Sequence, residues 1–226
     1  MPPQATIHGQ QSTAKTMLLN VQHLGTLTYE EAFAKQQAQV DRLLDGSSNP
    51  TLFLLEHHPV YTIGRTRDQT SLREASLLPH PVIEINRGGQ GSYHGPGQLV
   101  GYPILNLRNH GKDLHAYLRL LEEALILTLA DYNVTASRKE GLTGVWVGDR
   151  KIASLGVGVR KWISMHGFAL NITPESLPGF QAITPCGIDG VSMTCLHQEG
   201  DQSPTVAKVG IASSRHLANL LGYELA

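Results

Sequence analysis

The sequence predicts an α+β fold built on a mixed, largely antiparallel sheet flanked by helices. Three observations carry that expectation. Strand-length apolar runs and amphipathic helical stretches are mixed without the regular alternation of a βαβ protein. Gly148-Asp149 separates two strand-like runs as a hairpin turn does. A chain of 226 residues, 41% hydrophobic and 16% charged, with no repeat, low-complexity tract or linker, suits one domain over residues 17–226.

Taken in order, residues 17–24 are an apolar run broken by Asn20 and Gln22, which reads as a first strand. Thr28 and Glu31 have capping-box spacing. Tyr29, Ala32, Phe33, Val40, Leu43 and Leu44 then approximate one helical face, with Gly46 as the stop. A continuous apolar strand at 51–55 leads to a loop or second short strand at 59–65, after which Arg65 and Arg67 add charge. On a strand, His57 and His58 point to opposite faces. The β-branched run 82–85 reads as a buried strand, and strand character resumes at 99–107.

Asp113 caps the clearest helix, whose stripe is Leu114, Tyr117, Leu118, Leu121, Ala124, Leu125, Thr128 and Leu129. Arg119, Glu122 and Glu123 fall on its other face. Residues 144–147 and 151–159 form the hairpin, 168–172 a further strand, and 174–185 a loop ending in the tight turn Pro185-Cys186-Gly187. Ser203 caps and Pro204 opens a last helix with Val206, Val209, Leu217, Leu220 and Leu221 on its face, closed by Gly222.

Composition narrows function only slightly. A net charge of -1 points to neither nucleic acid nor membrane, and no apolar run reaches the ~18 residues of a spanning helix. Residues 1–16 are polar, lack a signal-peptide core and read as a mobile arm, so a cytoplasmic chain with reduced thiols is expected. Two cysteines make no disulfide scaffold and have no zinc-like spacing, although a bond between them stays open at this level. With no H-E-x-x-H, no i, i+4 histidine pair and no Walker-type loop, no metal site is expected.

The densest chemistry lies in Arg87-Gly88-Gly89-Gln90-Gly91-Ser92-Tyr93-His94-Gly95-Pro96-Gly97-Gln98. Its glycines permit close backbone approach, while its side chains supply donors and one acid–base candidate, His94. A satisfied structural histidine is the plainer reading there. Cys186 sits on a turn, the setting of an exposed nucleophile, whereas Cys195, among Met193, Thr194 and Leu196, reads as a buried bystander. Lys151 opens a strand rich in small residues (Ala153, Ser154, Gly156, Gly158), which leaves room for a ligand or another backbone. A lysine at a hairpin corner is ordinarily solvated. Segment 138–161 is positive and offers a face to an acidic partner protein, if it is not simply solvated.

These pieces occur together, and in this order, in a known family. Over roughly residues 17–222 the chain resembles the lipoyl(octanoyl) transferases, which share a fold with lipoate ligases and biotin protein ligases. The resemblance rests on the glycine-rich loop, Gly144-Val145-Trp146, Lys151-Ile152-Ala153-Ser154-Leu155-Gly156, His166-Gly167-Phe168-Ala169-Leu170-Asn171 and Pro185-Cys186-Gly187-Ile188. It implies a biotin/lipoate ligase-like domain that moves an octanoyl group from octanoyl-acyl carrier protein to a lysine of a lipoyl domain, through a thioester on Cys186. The acceptors implied are the lipoyl domains of 2-oxoacid dehydrogenase complexes and the glycine cleavage H protein. Lys151 would lower the thiol pKa and act as general acid and base.

By motif position Arg87, Gly88, Gly89, Gln90, Gly91, Ser92, Tyr93, His94, Ser154, Leu155, Gly156, Gly167, Phe168 and Ala169 would line the acyl pocket, with neither ATP nor metal required. Gly91-Ser92 departs from the family's larger residue followed by Thr, and Cys195 stands where serine is common. Two other readings stay open: an ATP-dependent ligase on the same fold, and a non-catalytic acyl-binding module with Cys186 buried.

Overall fold

The computed structural model describes residues 17–65, 69–72, 75–187 and 190–226, and of Gln69 and Cys186 the backbone alone. The arm 1–16, Arg67, Ile188 and the Cys186 side chain therefore lie outside the described residues. Strand β1 (Met17–Leu27) leads into helix α1 (Tyr29–Leu44) and then β2 (Thr51–His57). The capping box forms: Thr28 Oγ1 accepts from the Glu31 N–H at 3.2 Å, and Glu31 Oε2 accepts from the Thr28 N–H at 2.9 Å. Because α1 crosses over, β1 and β2 pair in parallel. A small second sheet follows, made of β3 (Val60–Ile63), β4 (Val82–Glu84) and β5 (Ser92–His94), in the order β4-β3-β5.

The chain then returns to the main sheet with β6 (Gln98–Ile104), α2 (Leu114–Ala130), β7 (Ser137–Lys139), β8 (Leu142–Val147), β9 (Arg150–Arg160) and β10 (Ile163–Asn171). The end of the chain supplies β11 (Ser192–Met193), α3 (Leu196–Glu199), α4 (Val206–Leu221) and β12 (Tyr223–Leu225). The main sheet runs β12-β1-β2-β6-β10-β9-β8-β7, with β11 beside β9. It is antiparallel from β2 to β7, and parallel where β1 meets β12 and β2 and where β11 meets β9.

Helices cover both faces. Leu52 and Leu54 pack with α2 and α4, while Phe53 and Leu55 pack with α1. That two-sided burial is why β2 reads as a continuous apolar run. On β10 Phe168 and Leu170 take the α2 side, and Ile163, Met165 and Ala169 the α1 side.

Several expectations need correction. The run 82–85 is not buried: Val82 is 36% exposed, because β4 is the edge of the small sheet. The last helix is capped by Thr205, whose Oγ1 accepts from the Lys208 N–H, rather than by Ser203 with Pro204 in its first turn. The strand expected at 168–172 begins at Ile163, because β9 and β10 are joined by a two-residue hairpin at Lys161-Trp162. Both turn residues have positive φ, 51° and 68°, without the glycine or asparagine that would announce such a turn. Glu122, expected on the face opposite the apolar stripe, is wholly buried.

Candidate active site

A cavity of about 240 Å³ lies on the α1 side of the main sheet, between β6, β10 and β9 and the small second sheet. An apolar cavity of roughly 150 Å³ holds a benzene ring, so this one has room for on the order of eight to ten carbons. Gly167 and Ala169 of β10 and Ser154, Leu155 and Gly156 of β9 line it. The glycine-rich loop closes over them: the Gly88 N–H donates to the Val157 carbonyl at 3.0 Å. This approach needs Gly156, where a Cβ would stand 2.8 Å from Arg87 Cδ and 3.0 Å from the Gly88 oxygen.

Lys151 is 1% exposed, which reverses the solvated reading of a hairpin corner. A β-bulge explains it. Val145 pairs with Ala153 but Trp146 pairs with Lys151, so β9 carries one extra residue. Ile152 and Ala153 consequently both enter the core beneath α2, and Lys151 falls on the same face as Ser154 and Gly156. Its ammonium lies 5.5 Å from the centroid of the Trp146 ring. Gly144 makes the room: a Cβ there would meet Lys151 Cε at 2.6 Å, and its φ is 142°. Glu122 holds that glycine, accepting from its N–H at 2.9 Å through Oε1, while Oε2 pairs with Arg119 at 2.7 Å and Arg138 at 3.2 Å.

The Cys186 backbone lies in a single 3₁₀ turn, Pro185–Gly187. The turn is tied to the second sheet's surroundings, with the Thr184 N–H donating to the Ser71 carbonyl at 2.7 Å. It abuts the cavity through Gln90, whose Nε2 lies 2.9 Å from where a Gly187 Cβ would be. Cys195 is a free, fully buried thiol, and burial raises its pKa.

Three histidines cluster around Arg87. His57 donates through Nδ1 to the Leu27 carbonyl at 3.1 Å and accepts from the Tyr102 hydroxyl at 2.7 Å. His94 donates through Nδ1 to Gln98 Oε1 at 2.8 Å and accepts from Thr62 Oγ1 at 3.2 Å. Arg87 in turn donates to Thr62 Oγ1 at 2.8 Å and to the Thr62 carbonyl at 3.1 Å. Burial pushes His94 down to about 3, with His57 and Arg87 adding repulsion. Burial also holds His57 at about 4, and burial with Arg87 holds His166 at about 4. All three rings are neutral near pH 7, so His94 sits in a hydrogen-bonded framework rather than poised for proton transfer.

Residues 28–218 match the family described as Lipoyl protein ligase A/B catalytic domain. The chain belongs to that family. Within it, the chain is 47% identical over 203 residues to the Octanoyltransferase of Syntrophotalea carbinolica, covering 90% of this chain and 94% of that one. It is 48% identical over 202 residues to the Octanoyltransferase of Geobacter sulfurreducens, covering 89% and 84%. These relatives identify it as an acyltransferase. The fold is shared with the bi-partite lipoate protein ligase of Thermoplasma acidophilum, at TM-score 0.65, 16% identity and coverage of 93% and 86%. It is shared also with the biotin protein ligase of Aquifex aeolicus, at TM-score 0.53, 13% identity and coverage of 91% and 70%.

For this lipoyl protein ligase A/B chain, the residues named from the loop and strands divide in the structure. Arg87, Gly89, Gln90, Ser92, His94, Ser154, Leu155, Gly156, Gly167, Phe168 and Ala169 line the cavity; Gly88, Gly91 and Tyr93 do not. Strand alternation accounts for Tyr93, which points away from Ser92 and His94 into the core of the small sheet, against Tyr61 and Phe180. Gly91 faces Ser71 and Leu72, and Gly88 spends its N–H on β9.

Sequence reasoning missed Tyr29, Val100, Tyr102 and Thr143 as cavity wall, and left His166 uncommitted within its motif. Tyr29 and Tyr102 read simply as core positions of α1 and β6. The positive segment 138–161 is largely neutralised within the chain: Arg138 pairs with Glu122 and Glu123, Lys139 with Asp149, Arg150 with Glu199 and Arg160 with Asp41. Among the described residues no helix is long and apolar enough to cross a membrane, and no three His, Cys, Asp or Glu side chains group as metal ligands.

Proposed function

We propose that this acyltransferase carries an octanoyl group from octanoyl-acyl carrier protein to a lysine of a lipoyl domain, through a thioester on Cys186. The observation that carries the reading is a buried lysine, Lys151, on the strand that walls a chain-sized cavity. The names of the octanoyltransferase relatives and the Cys186 turn beside Gln90 support it.

In the first step the Cys186 thiolate attacks the donor carbonyl; the new C–S bond forms, the old one breaks, and the carrier leaves as its thiol after taking the proton of the Lys151 ammonium. In the second step the acceptor amine attacks the enzyme thioester. A C–N bond forms, the C–S bond breaks, and the amine's proton passes to Lys151. As a cation Lys151 favours the thiolate, and as a neutral amine it accepts that proton, so the pair exchanges one proton per turnover. Thioester exchange is nearly balanced and the amide product draws the second step forward, so neither ATP nor metal enters the scheme.

The test is transfer from octanoyl-acyl carrier protein to an isolated lipoyl domain without ATP. Wild type is expected to modify the domain, with Lys151→Ala slower by about 10²–10⁴-fold. Transfer only when ATP is added, or an unimpaired Lys151→Ala, overturns the proposal.

A further inference from the structure

We infer that the end of the cavity remote from Lys151 is a polar stop that selects the length of the acyl chain, through Tyr29 and His166. The inference rests on the acyl-transfer reading and deepens it to chain-length specificity. His166 pairs with Val157 of β9, six residues beyond Lys151, which at the rise of a strand puts it roughly 17–20 Å from the lysine backbone.

Five aromatic rings close that end. Tyr29 and Phe33 of α1 stack at 5.9 Å between centroids, and Phe33 stacks on His166 at 6.0 Å. His166 meets Tyr102 at 6.2 Å, Tyr102 meets His57 at 5.9 Å, and His57 returns to Tyr29 at 5.8 Å. A hydrocarbon tail needs only such ring faces. Yet Tyr29 Oη and His166 Nδ1, both buried and both on cavity-lining residues, have no hydrogen-bond partner among the described residues.

The fold accepts strain to set one of them there. His166 has φ 58° in the middle of β10, a conformation that L side chains disfavour. Its N–H is held by the side chain of buried Gln36, at 2.7 Å to Oε1.

Buried polar atoms without protein partners recruit water. A chain that stops short of them leaves that water in place. A longer chain displaces it and strands the polar atoms, a loss larger than one more buried methylene returns. The stop therefore discriminates by desolvation as well as by length.

The experiment is competition among octanoyl, decanoyl and dodecanoyl thioesters of the carrier protein, read as acyl-enzyme masses. Tyr29→Phe deletes the oxygen of the stop and is compared with wild type. It is expected to raise the decanoyl-to-octanoyl ratio by about fivefold or more. Adducts at the wild-type ratio in Tyr29→Phe overturn the inference and leave acyl transfer standing, since a merely structural role for the hydroxyl affects all lengths alike. If wild type forms no adduct with any chain, the acyl-transfer reading itself fails, and the inference with it.

Discussion

At the residue scale, the protonation states around Arg87 set a pH signature. His57, His94 and His166 have folded pKa values depressed to about 4, 3 and 4 from an ordinary 6.5. Between those values the unfolded chain binds more protons than the folded one, so stability rises with pH through that window and is lost as pH falls below about 6.5. Each histidine contributes about 2 kcal/mol of loss by pH 5. Urea midpoints measured from pH 7.5 to 5 should fall steadily, and His94→Gln should flatten that fall by about one histidine's share. A midpoint independent of pH in that range contradicts the buried neutral cluster. Such a network was only half legible in sequence. His94 stood out because its loop did, but His57 was just the inward member of an adjacent pair, and its bond to Tyr102 joins residues 45 positions apart.

At the element scale, the site depends on how β8 and β9 meet. The bulge opposite Val145 and Trp146 turns Lys151 onto the cavity face, and α2 reaches across with Glu122 to hold Gly144 above it. Gly144→Ala would put a methyl against Lys151 Cε and the Ala153 carbonyl, at a φ suited to glycine. It should cost roughly 1–3 kcal/mol of stability and slow transfer by displacing the Lys151 ammonium. A thermal midpoint and transfer rate equal to wild type would show that Gly144 does not position the lysine. The hairpin itself was readable from Gly148-Asp149. The bulge was not, because nothing in the local pattern of 151–154 distinguishes a regular strand from one carrying an extra residue. Glu122 was misplaced for a different reason: at about 100° per residue it stands at the flank of the stripe, beside Leu118 and Leu129, where the return of β7 and β8 covers it.

At the scale of the whole molecule, the sheet's mixed character and its helices on both faces were legible from periodicity, caps and turns. Closure of the cavity was not, since it joins α1, the glycine-rich loop, β5, β9 and β10, which are distant in sequence. The loop's own pattern announced close packing, and that is what its backbone does on Val157 and Gly156. The chemistry proposed for this assembly requires that the acyl group reside on the enzyme between donor and acceptor. The direct measurement is the intact mass of the protein after incubation with octanoyl-acyl carrier protein in the absence of ATP, beside Cys186→Ala. One octanoyl adduct on wild type that is missing from Cys186→Ala is the predicted result. No adduct on wild type, or an adduct that persists without Cys186, contradicts it.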